Sequence, residues 1–137
     1  MDFSERVENL WANPAQVNLS ECFIYYIAVT NDKNEKFQYV GKARNSSRLN
    51  EYRNNMLKIR CGKERGKTQG YRAVHFALYS ALENNWNIDF YPLENCTKEN
   101  LNEVENRRIR EFQCNLNGGK TWRLSSMADL TLAKLLR

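Results

Sequence analysis

Residues 22–30, CFIYYIAVT, and residues 36–41, KFQYVG, decide the fold. Both are rich in aromatic and β-branched side chains, which suit a pleated, buried surface. The intervening NDKNE (31–35) is turn chemistry, so the two runs read as an antiparallel hairpin. Gly41 ends the second strand where the chain must bend sharply. A third strand is expected over 87–93, NIDFYPL. Pro92 is tolerable only at its end or on an edge, since proline has no N–H to give to a sheet ladder.

Helical patterns surround these strands. Residues 4–12 place Val7, Leu10 and Trp11 on one side behind Ser4 as N-cap. Residues 13–20 are a connection. Ser46 or Ser47 can cap a helix that turns Leu49, Tyr52 and Met56 to one face. Residues 58–70, KIRCGKERGKTQG, read as a basic loop. A helix over 71–84 buries Val74, Ala77, Leu78, Ala81 and Leu82. Its other face carries Arg72, Phe76 and Tyr79, with His75 at the margin. A helix over 101–112, a closing segment over 115–119 and a last helix over about 125–136 complete the chain. This order argues an α+β fold: a small, mainly antiparallel three-stranded sheet flanked by helices. The 137 residues suit one domain, with its core over about 22–119.

No stretch is long and apolar enough to span a bilayer, and no apolar signal core follows the acidic start. The expected setting is cytoplasmic. The four cysteines form no C-x-x-C pair, and His75 is the one histidine. That argues against structural zinc and for free thiols. The net charge is +5, but residues 42–72 hold ten Lys/Arg against Glu51 and Glu64. That segment is +8 and the remainder −3. A basic block on a near-neutral body points to a polyanion partner, most simply nucleic acid.

One carboxylate stands out. In the helix over 101–112 the apolar arc is Leu101, Val104, Ile109 and Phe112, and Glu105 falls inside it. A carboxylate among core-facing residues is costly unless it is paired, protonated or metal-bound. Arg48 and Tyr52 stand four apart on the first basic helix, where neighbours on one face meet. A guanidinium there can clamp phosphate oxygens at two points.

Taken in order, these motifs resemble the GIY-YIG nuclease superfamily, and within it the small phage endonuclease II type. The carriers are Phe23-Ile24-Tyr25, Tyr39-Val40-Gly41, Arg48-x-x-x-Tyr52, Glu105-x-x-x-Ile109 and Leu116-Asn117-Gly118. Phe23 stands where the family has its leading glycine, and Tyr52 where relatives often have histidine. The resemblance implies a metal-dependent endonuclease that hydrolyses phosphodiester bonds of double-stranded DNA. It implies catalytic roles for Tyr25, Tyr39, Lys42, Arg48, Tyr52 and Glu105. Both Tyr25 and Tyr39 would point into the site, with Tyr25 the favoured group to orient or deprotonate the attacking water. Glu105 would hold Mg²⁺ or Mn²⁺, which supplies Lewis acidity; no small-molecule cofactor is implied. Gly41 and Asn117 would be structural, Asn117 fastening the loop after the catalytic helix.

Arg44, Arg53, Lys58, Arg60, Lys63, Arg65, Lys67, Arg72 and His75 are the expected nucleic-acid contacts. For His75, packing or half-exposure is the first reading and a DNA contact the second. One active site cuts one strand, so a double-strand break calls for a homo-oligomer or a second visit. The alternative readings are a non-catalytic nucleic-acid-binding module of the same fold and an interaction protein of a phage or mobile element.

Overall fold

The computed structural model describes residues 2–66 and 69–125. The expected helix over 125–136 therefore lies outside the described residues, apart from Ser125, as does Lys67. The elements run α1 (Phe3–Glu8), β1 (Phe23–Thr30), β2 (Lys36–Ala43), α2 (Ser47–Arg60), β3 (Tyr71–Arg72), α3 (Ala73–Asn84), β4 (Asn87–Asn95), α4 (Leu101–Phe112) and β5 (Thr121–Trp122). The fold is α+β. Its three-stranded sheet is antiparallel, in the order β2-β1-β4.

Strand β1 is central, and its side chains serve two cores by simple alternation. Phe23, Tyr25, Ile27 and Val29 join the larger core, with Leu49, Tyr52 and Met56 of α2 and Val74, Ala77 and Leu78 of α3. Ile24, Tyr26 and Ala28 face the other way, onto Leu101, Val104, Ile109 and Phe112 of α4. This double burial explains why 23–29 reads as a continuous apolar run. Tyr26 packs its ring 4.7 Å from that of Phe112 and donates its hydroxyl to Gln38 Oε1.

The edges of the sheet are managed in two ways. Pro92 lies on the edge strand β4, where the register slips: Tyr25 faces Pro92 but Ile24 faces Glu94. Leu93 is the extra residue, and the missing N–H of proline costs nothing at such a bulge. The outer edge of β2 is covered by the chain after α4. Gln38 N donates to Asn115 Oδ1 at 2.8 Å, and Leu116 N donates to Gln38 O at 3.0 Å. Asn117 then pairs with Val40 in both directions, accepting at 3.1 Å and donating at 2.7 Å. Its amide stands in for a strand residue.

Several local expectations are corrected. The first helix stops at Glu8, and its N-cap is Asp2, whose carboxylate accepts from Glu5 N at 2.9 Å. Leu10 still reaches the core from the bend after the helix, where Leu10 N bonds back to Val7 O and Ala12 N is tied to Phe90 O. Ser46 is the N-cap residue of α2, as expected, but its side chain makes no cap bond; Asn45 Oδ1 instead accepts from Ser47 N at 2.9 Å. Helix α3 starts at Ala73, because Tyr71 and Arg72 are extended and paired with Trp122 and Thr121.

Gly41 does not end its strand but lies within β2, opposite Tyr25. The reason for glycine is contact. A Cβ there would stand 2.3 Å from Cζ and Oη of Tyr25, whose ring lies across the glycine. Gly41→Ala is therefore expected to destabilise the fold by about 1–3 kcal/mol, the usual range for overpacking. The measurement is urea unfolding. A midpoint that stays put at constant slope would contradict this account.

Candidate active site

The site is built around phenols. Tyr25 of β1, Tyr39 of β2 and Tyr52 of α2 are all buried in the larger core. The Tyr25 and Tyr52 hydroxyls meet at 2.8 Å. Arg72 reaches in from β3, donating Nη1–H to Tyr39 Oη at 2.5 Å and Nη2–H to Tyr52 Oη at 3.3 Å. One guanidinium thus ties two phenols directly and the third through Tyr52. Its place in the basic insert predicts a backbone-phosphate contact for Arg72. Two residues of β3, which no periodicity announces, turn it inward.

Around this centre lie the charged groups. Glu105 is half-buried, its side chain 18% exposed, and its Oε1 lies 3.9 Å from Lys42 Nζ. Burial raises its carboxyl above the usual range, while the cations of Lys42, Arg72 and Arg48 pull the other way. Lys42 also donates to Asn102 Oδ1, one helical turn before Glu105. Arg48 leans on Glu51, 3.8 Å away at i+3, and its side chain is 43% exposed. A cleft of about 570 Å³ lies here, lined by Lys42, Arg44, Arg48 and Lys98 among others. Arg72 differs from these cations. No carboxylate of the described residues lies within ion-pair distance of its guanidinium, and its side-chain hydrogen-bond partners are the oxygens of Tyr39 and Tyr52.

The phenols are not equivalent. Burial pushes the Tyr25 hydroxyl well up, and its neighbours Tyr52 and Tyr39 push it further. Burial and Tyr39 raise Tyr52 likewise, against the pull of Arg72. These two hydroxyls stay protonated at neutral pH, and Tyr25 is only 1% exposed. Burial thus shrinks the phenolate fraction that Tyr25 can offer to the water's proton at neutral pH. Tyr39, 7% exposed and bonded directly to Arg72, is the phenol nearer the surface.

The expected nucleic-acid residues divide into three groups. Arg44, Lys58 and Lys63 are exposed and Arg65 is half-buried. Arg53 and Arg60 lie on another side of α2, stacked over Trp11 at 4.8 Å and Phe3 at 4.2 Å. They cover the N-terminal segment, and cation–π contact accounts for them. His75 is withdrawn from the set. It is 1% exposed, because α3 begins late and places it in the first turn. There its ring folds back, Nδ1 accepting from Arg72 N at 3.0 Å.

Metal donors are sparse. Among the described residues no three His, Cys, Asp or Glu side chains cluster as a cation site. The four thiols are unpaired, as expected. Glu105 alone fits a hard cation that takes its remaining ligands from water and a substrate phosphate, the habit of Mg²⁺. No helix of the described residues is long and apolar enough to cross a membrane. No family model, curated protein or solved structure matches this chain.

Burial and the charges of Arg72, Arg65 and Arg48 hold His75 well below its usual value of 6.5. The imidazole is thus neutral in the fold and takes up a proton once unfolded. Its contribution to stability is whole above pH 6.5 and is lost as pH falls below it. Urea unfolding between pH 6.5 and 5.5 should show a decline of up to about 1.4 kcal/mol per pH unit. His75→Gln should flatten it; an equal slope in that variant would refute the assignment.

Proposed function

We propose that this chain is a phosphodiester hydrolase acting on double-stranded DNA, a nuclease of GIY-YIG type. The single observation that carries the reading is Arg72, a largely buried guanidinium held by two phenols and, among the described residues, with no carboxylate at ion-pair distance. Leaving such a charge unneutralised is expensive unless an anion arrives. Arg48 and Lys42 act with it on the same carboxylate, Glu105, so the locality suits a group with charged oxygens and a tetrahedral centre, namely a phosphate.

The roles follow from the chemistry of each group. Arg48 and Arg72 brace the phosphoryl oxygens and take up charge as it builds in the transition state. Tyr39 accepts from Arg72, which leaves its own proton free to donate toward the phosphate or the attacking water. Tyr25 and Tyr52 position that phenol and the guanidinium; Tyr25 serves by position rather than as base. Lys42 sits beside Glu105 and steadies the carboxylate in its charged form. Glu105 is the residue that would hold Mg²⁺ or Mn²⁺, which supplies Lewis acidity toward the phosphate. The exposed cations Arg44, Lys58, Lys63 and Arg65 supply sequence-independent contacts to the DNA backbone.

The reading is tested by nicking of supercoiled plasmid with Mg²⁺, with and without EDTA. Chelation is expected to stop cutting. Glu105→Ala, Arg48→Ala and Arg72→Ala should each reduce it by at least about 10²–10³-fold, as the loss of one preorganised charge does elsewhere. Cutting by Glu105→Ala at the parent rate would remove the mechanism. DNA binding that falls with salt, with no cutting in any divalent cation, would favour the non-catalytic module instead.

A further inference from the structure

A second depression, of about 480 Å³, lies along α2 from the cleft just described. The two share Arg48 and Glu51. Asn55, Lys58, Arg65 and Gln69 line the rest. Asn55 is the unusual member. Its side chain is buried, 5% exposed, with Nδ2 placed 3.3 Å from His75 Nε2.

The hydrogen bonds fix which end of that amide faces outward. Arg72 N–H can only donate, so His75 Nδ1, 3.0 Å away, must be the bare nitrogen. A neutral imidazole with a bare Nδ1 carries its proton on Nε2. That N–H donates to the Asn55 amide, so the amide presents its oxygen to the ring. With Nδ2 facing an Nε2–H two donors would oppose each other, so the network requires the 180° turn that exchanges the two ends of the amide. The amide –NH₂ is therefore turned the other way, toward the depression. It is a fixed neutral donor at the base of a pocket whose rim carries Arg48, Lys58 and Arg65. Glu51 is the one carboxylate there, and it leans on Arg48.

We infer that this depression is a phosphate subsite, in which the Asn55 amide and Arg65 hold a backbone phosphodiester next along the strand from the one at Arg48. The nuclease reading supplies the identity of the polyanion; the donor arrangement itself comes from His75, Arg72 and Asn55. The backbone N–H of Arg72 thus sets the tautomer of His75, and the tautomer aims Asn55. The same residue whose side chain ties the phenols also orients this second site.

The experiment is NMR on the full chain with ¹⁵N-labelled histidine and asparagine, in EDTA so that nothing is cut. The sole imidazole should show a protonated Nε2 and a bare Nδ1. A short DNA duplex should shift the Asn55 amide signals. Inorganic phosphate at the same phosphate concentration should shift them far less. In anisotropy titrations Asn55→Asp and Arg65→Ala should each bind the duplex about tenfold more weakly, the loss of one hydrogen bond to a charged group. Arg65 lies on the loop, so its variant keeps the fold should Asn55→Asp not. A protonated Nδ1, unmoved Asn55 signals on duplex binding, or Arg65→Ala binding within twofold of the parent would overturn the subsite. Inorganic phosphate acting as well as duplex would overturn its assignment to a nucleic-acid backbone. Binding as described without plasmid nicking would sink the nuclease and keep the subsite. Nicking with silent Asn55 signals would do the reverse.

Discussion

A buried guanidinium bonded to two phenols is the constraint on which this site depends. Arg72 donates to Tyr39 and Tyr52, and its backbone N–H donates to His75. Three elements that are distant in the chain, β2, α2 and α3, are joined at one residue. The cost of burying that charge is offset by oriented phenol dipoles rather than by a carboxylate, so the centre stays positive overall. A core built this way is polar, aromatic and electrostatically unfinished, which suits a place where an anion binds.

The sheet makes that arrangement reachable. Alternation along β1 sends Tyr25 to the helices α2 and α3 and sends its neighbours to α4. Gly41 lets the Tyr25 ring lie flat against β2, so its hydroxyl meets Tyr52. Asn117 pins the chain after α4 to Val40, next to that glycine. Glu105, on α4, is thereby held near Lys42 and within the electrostatic reach of Arg48 and Arg72. A small set of backbone facts therefore brings both faces of the sheet to one locality.

Much of this was legible in advance. The hairpin showed in composition and turn chemistry, and Glu105 showed because a carboxylate interrupts an apolar arc. What failed were residues whose role depends on where a neighbouring element begins. Tyr71 and Arg72 continue a helical pattern, yet a two-residue pairing with Thr121 and Trp122 holds them extended. That shift delays α3, turns His75 inward, and moves Arg72 from the rim to the centre. Arg53 and Arg60 gained a packing role for a different reason. Their charge was counted with the basic block, whereas helical phase carries them to Trp11 and Phe3.

By itself the sequence determined the α+β fold, the order of the hairpin, and a basic segment beside a misplaced carboxylate. Those follow from periodicity and charge, which are local properties of the chain. Only the tertiary structure decided which cations turn inward, which tyrosines lose contact with water, and which end of Asn55 faces out. Those depend on burial and on hydrogen bonds between residues 20 to 33 positions apart. No local pattern encodes a partner at that separation, so the centre of this site becomes visible once the chain is folded.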